Sequence, residues 1–482
     1  MSTSEKLPVD GIPLNRRESS SEDIQKDDIP VSPAGPPPLT FPEGGLQGWL
    51  TVLGGFLTLF CAAGTMQSFG VYENFYTLES LNDHPPSDIA WIGSLQGFLL
   101  FGGGFFSGQL FDRGYFKHLM LGGSLLFVFC SFMLSLAKPH NYYQNFLAQG
   151  LGMGIGMGML FMPSLSIASH YFRRRRALAM GIILSGKALL NPSNLSISTF
   201  SKLTSGFLWI EGGSLGAAIY PIMLNHLFTS VGFAWAVRAQ SFLYLGLLTI
   251  SNLIMKTRLP AGGKKDVDLK GVLTDVPYLI CTAGSFFVFW GLFVPYFYLQ
   301  LFCSKHDLPA NIVTYGITIL NITGVLGRTF PNFMADVLGP FNGEHDANPD
   351  QLGSPRKKVT IATGFITGAL VFMLLASKSV AATVVFAILY GFTSGGFVSV
   401  IGPVAATFAR NINEVGTRMG FLTFVSSFAM LTGSPISGAL LHSPQYFWIR
   451  PVLFSAVVQL FGSGLIVISR AIQAKKKGTW KL

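Results

Sequence analysis

Between Trp49 and Ile468 the chain repeats one pattern: an apolar block of membrane-crossing length, then a short connector that carries most of the charge. Hydrocarbon about 30 Å thick is crossed by ~20 apolar residues at ~1.5 Å per residue. Inside it every backbone N–H and C=O must be bonded within the chain, so blocks of this kind are expected to be helices. Composition agrees. Only 12% of the 482 residues are charged, half are hydrophobic, and Phe alone supplies 43, whereas a soluble chain carries about 25% charge. The expected fold class is an all-α membrane protein.

The net charge of +10 sits between the blocks, where the chain meets lipid headgroups. That placement implies the bilayer as partner and argues against nucleic acid. Cys61, Cys130, Cys281 and Cys303 fall inside or at the edges of blocks, and the eight histidines are scattered singly. Neither pattern suits a disulfide framework or a metal site. No Gly-rich phosphate loop with a following Lys is visible, so neither a cofactor nor an enzyme is expected.

Residues 1–41 contain Ser19-Ser20-Ser21 and Pro36-Pro37-Pro38 and no apolar signal segment, and read as a disordered polar tail. Twelve candidate spans follow, at about 49–72, 89–111, 119–136, 146–168, an interrupted fifth, 233–254, 278–302, 312–334, 361–376, 381–408, 420–441 and 452–468. The first six belong to a half at 42–255 and the second six to a half at 278–470. A basic connector, 256–277, joins them, and a basic tail occupies 471–482. With the N-terminus placed in the cytosol, the inner connectors hold sixteen basic residues, among them Arg173–Arg176 and Arg418, against four outside. The positive-inside rule therefore predicts both termini in the cytosol.

After the second block comes Gly108-Gln109-Leu110-Phe111-Asp112-Arg113-Gly114, and after the eighth a degenerate echo, Gly327-Arg328 then Asp336-Val337-Leu338-Gly339. An acid at a helix end followed by Gly suits a tight turn. The pair, one per half, resembles the loop signature of the major facilitator superfamily. The resemblance implies two six-helix halves and a conformational latch at Gly108, Asp112, Arg113, Gly114 and Asp336. Three further segments resemble the monocarboxylate-transporter-like branch common in fungi: Glu43-Gly44-Gly45-Leu46-Gln47-Gly48-Trp49, Tyr171 to Gly181 with its four arginines, and Gly416-Thr417-Arg418-Met419-Gly420 with Gly433-Ser434-Pro435-Ile436-Ser437-Gly438.

Arg328 lies eight positions before Asp336, about 12 Å up a helix and near membrane mid-depth. A cation there costs at least ~2.5 kcal/mol, so it should face a water-filled path or a partner. It either binds an anionic solute, or serves as a structural ion pair or a snorkelling arginine in the half-latch. The resemblance implies the first, since that branch places a substrate-binding Arg in this helix. Departures accompany it: Gly324 stands where mammalian members carry an acid, and Gln67 where they carry a lysine. Glu73 sits at the outer end of the first block. Gln67, Asn321 and Tyr298 are further candidates to hydrogen-bond a solute, or else satisfy buried helix contacts. In the fourth block, glycines at 150, 152, 154, 156 and 158 read as a packing seam, and Pro163, Pro295 and Pro403 as bends.

The fifth block is interrupted: 187–212 introduces Lys187, Asn191, Pro192, Asn194, Lys202 and Glu211. Joining Ser185-Gly186 to Gly213-Ser214 would restore an apolar span, so this reads as an insert, such as a retained intron. Polar residues 343–358 lengthen the loop after the eighth span. The function expected is secondary active transport of a small organic solute, a monocarboxylate or related anion, by alternating access in the plasma membrane, with protons as a candidate co-substrate. A nutrient sensor on a transporter fold and a non-functional splice product are the alternatives.

Overall fold

The computed structural model describes residues 45–172, 212–258, 269–337, 354–409, 412–442 and 445–477. The polar tail, the tetra-arginine run and all of the 187–212 segment except Gly212 lie outside them, as do residues 259–268 of the 256–277 connector and residues 343–353. The described residues contain helices and no strand.

Twelve helices are labelled in chain order. α1 is Leu46–Ser80, α2 Pro86–Asp112, α3 Phe116–Leu134 and α4 Tyr142–Ser166. One helical stretch, Gly212–Ile254, is broken by Gly232 at φ +78°, which separates α5 (212–231) from α6 (233–254). α7 is Val276–Lys305, α8 Ala310–Val337 and α9 Ser354–Leu370. α10 is Val380–Ala406, α11 Ile412–Leu441 and α12 Ile449–Lys477. Among the described residues ten helical stretches are long and apolar enough to cross a membrane, one of them the broken α5–α6 pair, while Thr360–Ala376 is apolar but shorter. This is the all-helical arrangement the apolar blocks predict.

Several helices depart from straight α-geometry for visible reasons. α1 breaks at Ser68 and ends in a π-turn, Tyr76–Ser80. α7 breaks at Phe293, just before Pro295, which lacks the N–H an uninterrupted helix would need. Pro163 and Pro403 lie inside α4 and α10.

The α4 glycines serve two faces. A side chain at Gly150, Gly154 or Gly158 would meet Ile92 and Leu99 of α2, whereas one at Gly152 or Gly156 would meet Cys130 and Phe127 of α3. Positions four apart share a face and their neighbours two along take another, so this one helix lies close against α2 and α3 together. Large apolar side chains such as Leu125, Trp235, Leu253 and Phe461 point outward and stay exposed. That surface belongs in hydrocarbon. The four cysteines are buried and form no disulfide.

The halves meet along three pairs of helices: α1 with α7, α2 with α11, and α5 with α8. The outer part of α1 is pressed on α7, with Phe69 and Phe297 rings 5.0 Å apart and Ser304 Oγ donating to Asn74 Oδ1 at 3.0 Å. Along α2 and α11, Phe98 meets Phe428 edge-on and Phe105 lies tilted against Phe424. The α1–α7 contact lies at the end of the bundle opposite the Asp112–Gly114 turn.

Candidate substrate site

Arg328 reaches across the boundary between the halves. From α8 its Nη1 donates to Ser214 Oγ on α5 at 2.6 Å, and its Nη2 donates to Gln67 Oε1 on α1 at 2.8 Å. Both acceptors belong to the first half. The residue before it explains how the arginine is held: a side chain at Gly327 would land on the Phe392 carbonyl oxygen of α10. Gly391 and Gly395 of α10 lie as close to Leu320 and Gly324 of α8. Backbone against backbone, α8 is fixed on α10 and can aim Arg328 outward from its own half.

The opposite wall is built the same way. A side chain at Gly64 would lie 2.8 Å from the Gly216 Cα, so α1 and α5 pack closely and bring Gln67 and Ser214 to one guanidinium. Gln67 and Arg328 are partly exposed and Ser214 is buried. The guanidinium is planar with donors in a fixed fork. Two of its donors go to neutral oxygens of the opposite half, so the guanidinium presents a hydrogen-bonding surface between the halves.

The other two candidates fall elsewhere. Asn321, one to two turns from Arg328 on α8, is buried and donates to the Ala217 carbonyl of α5 at 3.0 Å. It lies on the same α5–α8 seam, where Thr318 Oγ1 donates to the Ala218 carbonyl at 3.4 Å. Tyr298 is buried in α7 and its hydroxyl donates to the Ser434 carbonyl of α11 at 2.9 Å. That is a helix contact within the second half, away from the guanidinium.

At the turn expected to form a latch, Asp112 ends α2, Arg113 caps it and Gly114 takes φ +92°, the left-handed turn the motif predicts. Gly108 lies against Met162 of α4. Asp112 and Arg113 are exposed, and among the described residues Asp112 forms no ion pair. It is close enough to raise the His170 pKa, but burial of the ring dominates and pulls it below the usual histidine value. The helix carrying Asp336 is described to Val337; its side chain lies outside the described residues.

Two charged groups have surroundings that sequence does not announce. Arg418 reads as a connector residue but lies fully buried in α11. Its Nη1 donates to Asp275 Oδ2 at 2.7 Å and its Nε to Glu414 Oε2 at 3.2 Å. Its own carbonyl accepts from Tyr278 Oη at 2.7 Å. This cluster ties the start of α7 to α11 inside one half. Glu73 reads as the outer end of a span, yet it is completely buried.

Helices long enough to span, two halves in contact along three seams, and an arginine shared between them define a membrane transporter. Comparison with known proteins agrees. The Major Facilitator Superfamily profile matches residues 46–191. The chain is 35% identical over 462 residues to the "Aspyridones efflux protein apdF" of Emericella nidulans, covering 95% of this chain and 85% of that protein. It is 32% identical over 453 residues to "MFS-type transporter 1" of Ophiocordyceps sp., covering 93% and 90%. The crystal structure of a mutant of the nucleoside transporter NupG shares the fold with a TM-score of 0.63 at 13% identity, over 87% of this chain and 99% of that structure. The chain belongs to the major facilitator superfamily and is a transporter, not an enzyme.

Proposed function

We propose that the chain exports a small organic anion by alternating access, with Arg328, Gln67 and Ser214 at the centre of the binding site. The observation that carries this reading is the Arg328 fork, one donor on each of two helices of the opposite half. A group that bonds both halves at once is where a solute must bind if its occupancy is to change how the halves sit. A solute carboxylate or enolate competes with Gln67 and Ser214 for the guanidinium through charge-assisted bonds, which are stronger than those to neutral oxygens. Export is favoured over uptake by the relative from Emericella nidulans, which is named as an efflux protein.

In this reading the end carrying Asp112–Gly114 faces the cytosol, as the basic connectors favour, and the α1–α7 contact closes the far side. Exposure of Asp112 and Arg113 then belongs to the state open to the cytosol, and the latch engages on reversal. The plasma membrane suits an exporter. Asn321 sets the α5–α8 seam beside the site, and Tyr298 holds α7 to α11.

The test is efflux from a host lacking its own carriers for a panel of organic acids. Wild type exports at least one of them, and Arg328→Ala sharply reduces that export. A charge-assisted bond is worth ~1.5–3 kcal/mol, so the loss is roughly 10- to 100-fold. Arg328→Lys keeps the charge without the fork and falls between. Unchanged export by both variants contradicts the assignment.

A further inference from the structure

Glu73 is wholly buried, and neither carboxylate oxygen has a hydrogen-bond partner in the protein. It sits on α1 between Phe69, whose ring meets Phe297 of α7, and Asn74, which accepts from Ser304 of α7. Its neighbours on α1 are otherwise engaged: Tyr72 Oη donates to Gln240 at 2.5 Å and Tyr76 Oη to Gln149 at 2.7 Å. The titratable groups that sense its charge are Tyr76 on α1, Tyr142 on α4 and Tyr298 on α7. All are phenols, neutral near pH 7. Among the described residues no cation pairs with Glu73. Asp83, His84, Asp88 and His140 lie near the adjacent turn, where they pair with one another at 3.1–3.8 Å at the surface; Tyr142 bonds the Asp88 carbonyl.

An ionised carboxylate without partner or water is strongly disfavoured in such a place, whereas the neutral acid is tolerated. Tyr298 of α7 and Tyr142 of α4 both lie close enough to sense it, so the α1–α7 contact is one of the walls that keep bulk water from the carboxylate. We propose that Glu73 is a proton-binding site that gates this end of the transporter: the α1–α7 contact closes when Glu73 is protonated and opens when it ionises. The carboxylate takes its proton from water while the end is open, forming an O–H bond, and returns it to water when next hydrated. The inference rests on the alternating-access reading above, and its test needs no substrate.

The four native cysteines are replaced by alanine, and spin labels are placed at Glu79→Cys and Ala310→Cys, exposed positions in opposite halves. Label-to-label distances are measured in liposomes at about pH 4.5 and about pH 9, near the two ends of the range between a solvated carboxylate and a buried one. The expected result is one short population in acid and an added longer one in alkali. Glu73→Gln should hold the short distance at both. Glu73→Asp should keep the transition with a moved midpoint, and Asp88→Asn should keep it unmoved. A distribution insensitive to pH, or a transition intact in Glu73→Gln, overturns the proposal. Should Glu73→Gln not fold, an unmoved midpoint in Glu73→Asp does so instead. Absent export with the pH transition intact counts against the proposed function and leaves the proton site standing.

Discussion

Two arginines in the second half illustrate how surroundings decide what a cation does. Arg418 is fully enclosed, ion-paired to Asp275 and Glu414, and lies over the Tyr278 ring at 5.0 Å. Its partners are acids on its own half, so nothing is gained by letting a solute near it. Removing it strands two carboxylates in a poorly hydrated place. Arg418→Ala is expected to destabilise the detergent-solubilised protein by ~3–5 kcal/mol, seen as a lowered unfolding midpoint, whereas a mutant with Asp275→Asn added should recover part of the loss. Arg328 instead bonds neutral oxygens across the boundary, and its substitution should alter export far more than stability. Arg328 was legible in the sequence because a lone cation deep in an apolar block has few explanations. Arg418 was not. It stands near a block's edge, where arginines are ordinary, and Asp275 is far away in the chain. Glu73 was visible as a residue, but its burial comes from packing against other helices, which no local pattern announces.

At the level of helices, the glycines were legible as packing residues and their division of labour was not. A run with alternate glycines in α4 predicts close approach; only the structure shows one set facing α2 and the other α3. The α8–α10 seam has the larger functional consequence. Gly327 neighbours Arg328, and an added methyl there meets the Phe392 carbonyl of the partner helix. Overpacking of this kind costs ~1–3 kcal/mol and moves the backbone. Gly327→Ala should therefore reduce export by shifting the guanidinium from Gln67 and Ser214, although it touches no solute. Gly464→Ala, with open space around it, should leave both export and unfolding midpoint unchanged. The apolar blocks placed most helices well, because a span's length is set by hydrocarbon thickness. They did not show the break in α1 at Ser68, whereas Pro295 had marked the one in α7. The interrupted fifth block resolves in the described residues to a helix that begins at Gly212 and carries Ser214 to the site.

On the scale of the whole molecule, two halves share a central cation and close on each other at one end. Sequence carried the all-helical class and the tight turn after α2, since each is written in local composition. Which residues of opposite halves meet was beyond it, because such contacts depend on how the halves are seated. Accessibility of position 67 probes that seating directly. With the native cysteines replaced, Gln67→Cys is reconstituted and challenged with a membrane-impermeant thiol reagent, added separately to each face of sealed vesicles. Alternating access predicts modification from both faces, with the balance moved toward the Arg113 face at acidic pH, when the α1–α7 end is shut. Modification from one face alone, under every pH and with or without a transported acid, would contradict the account.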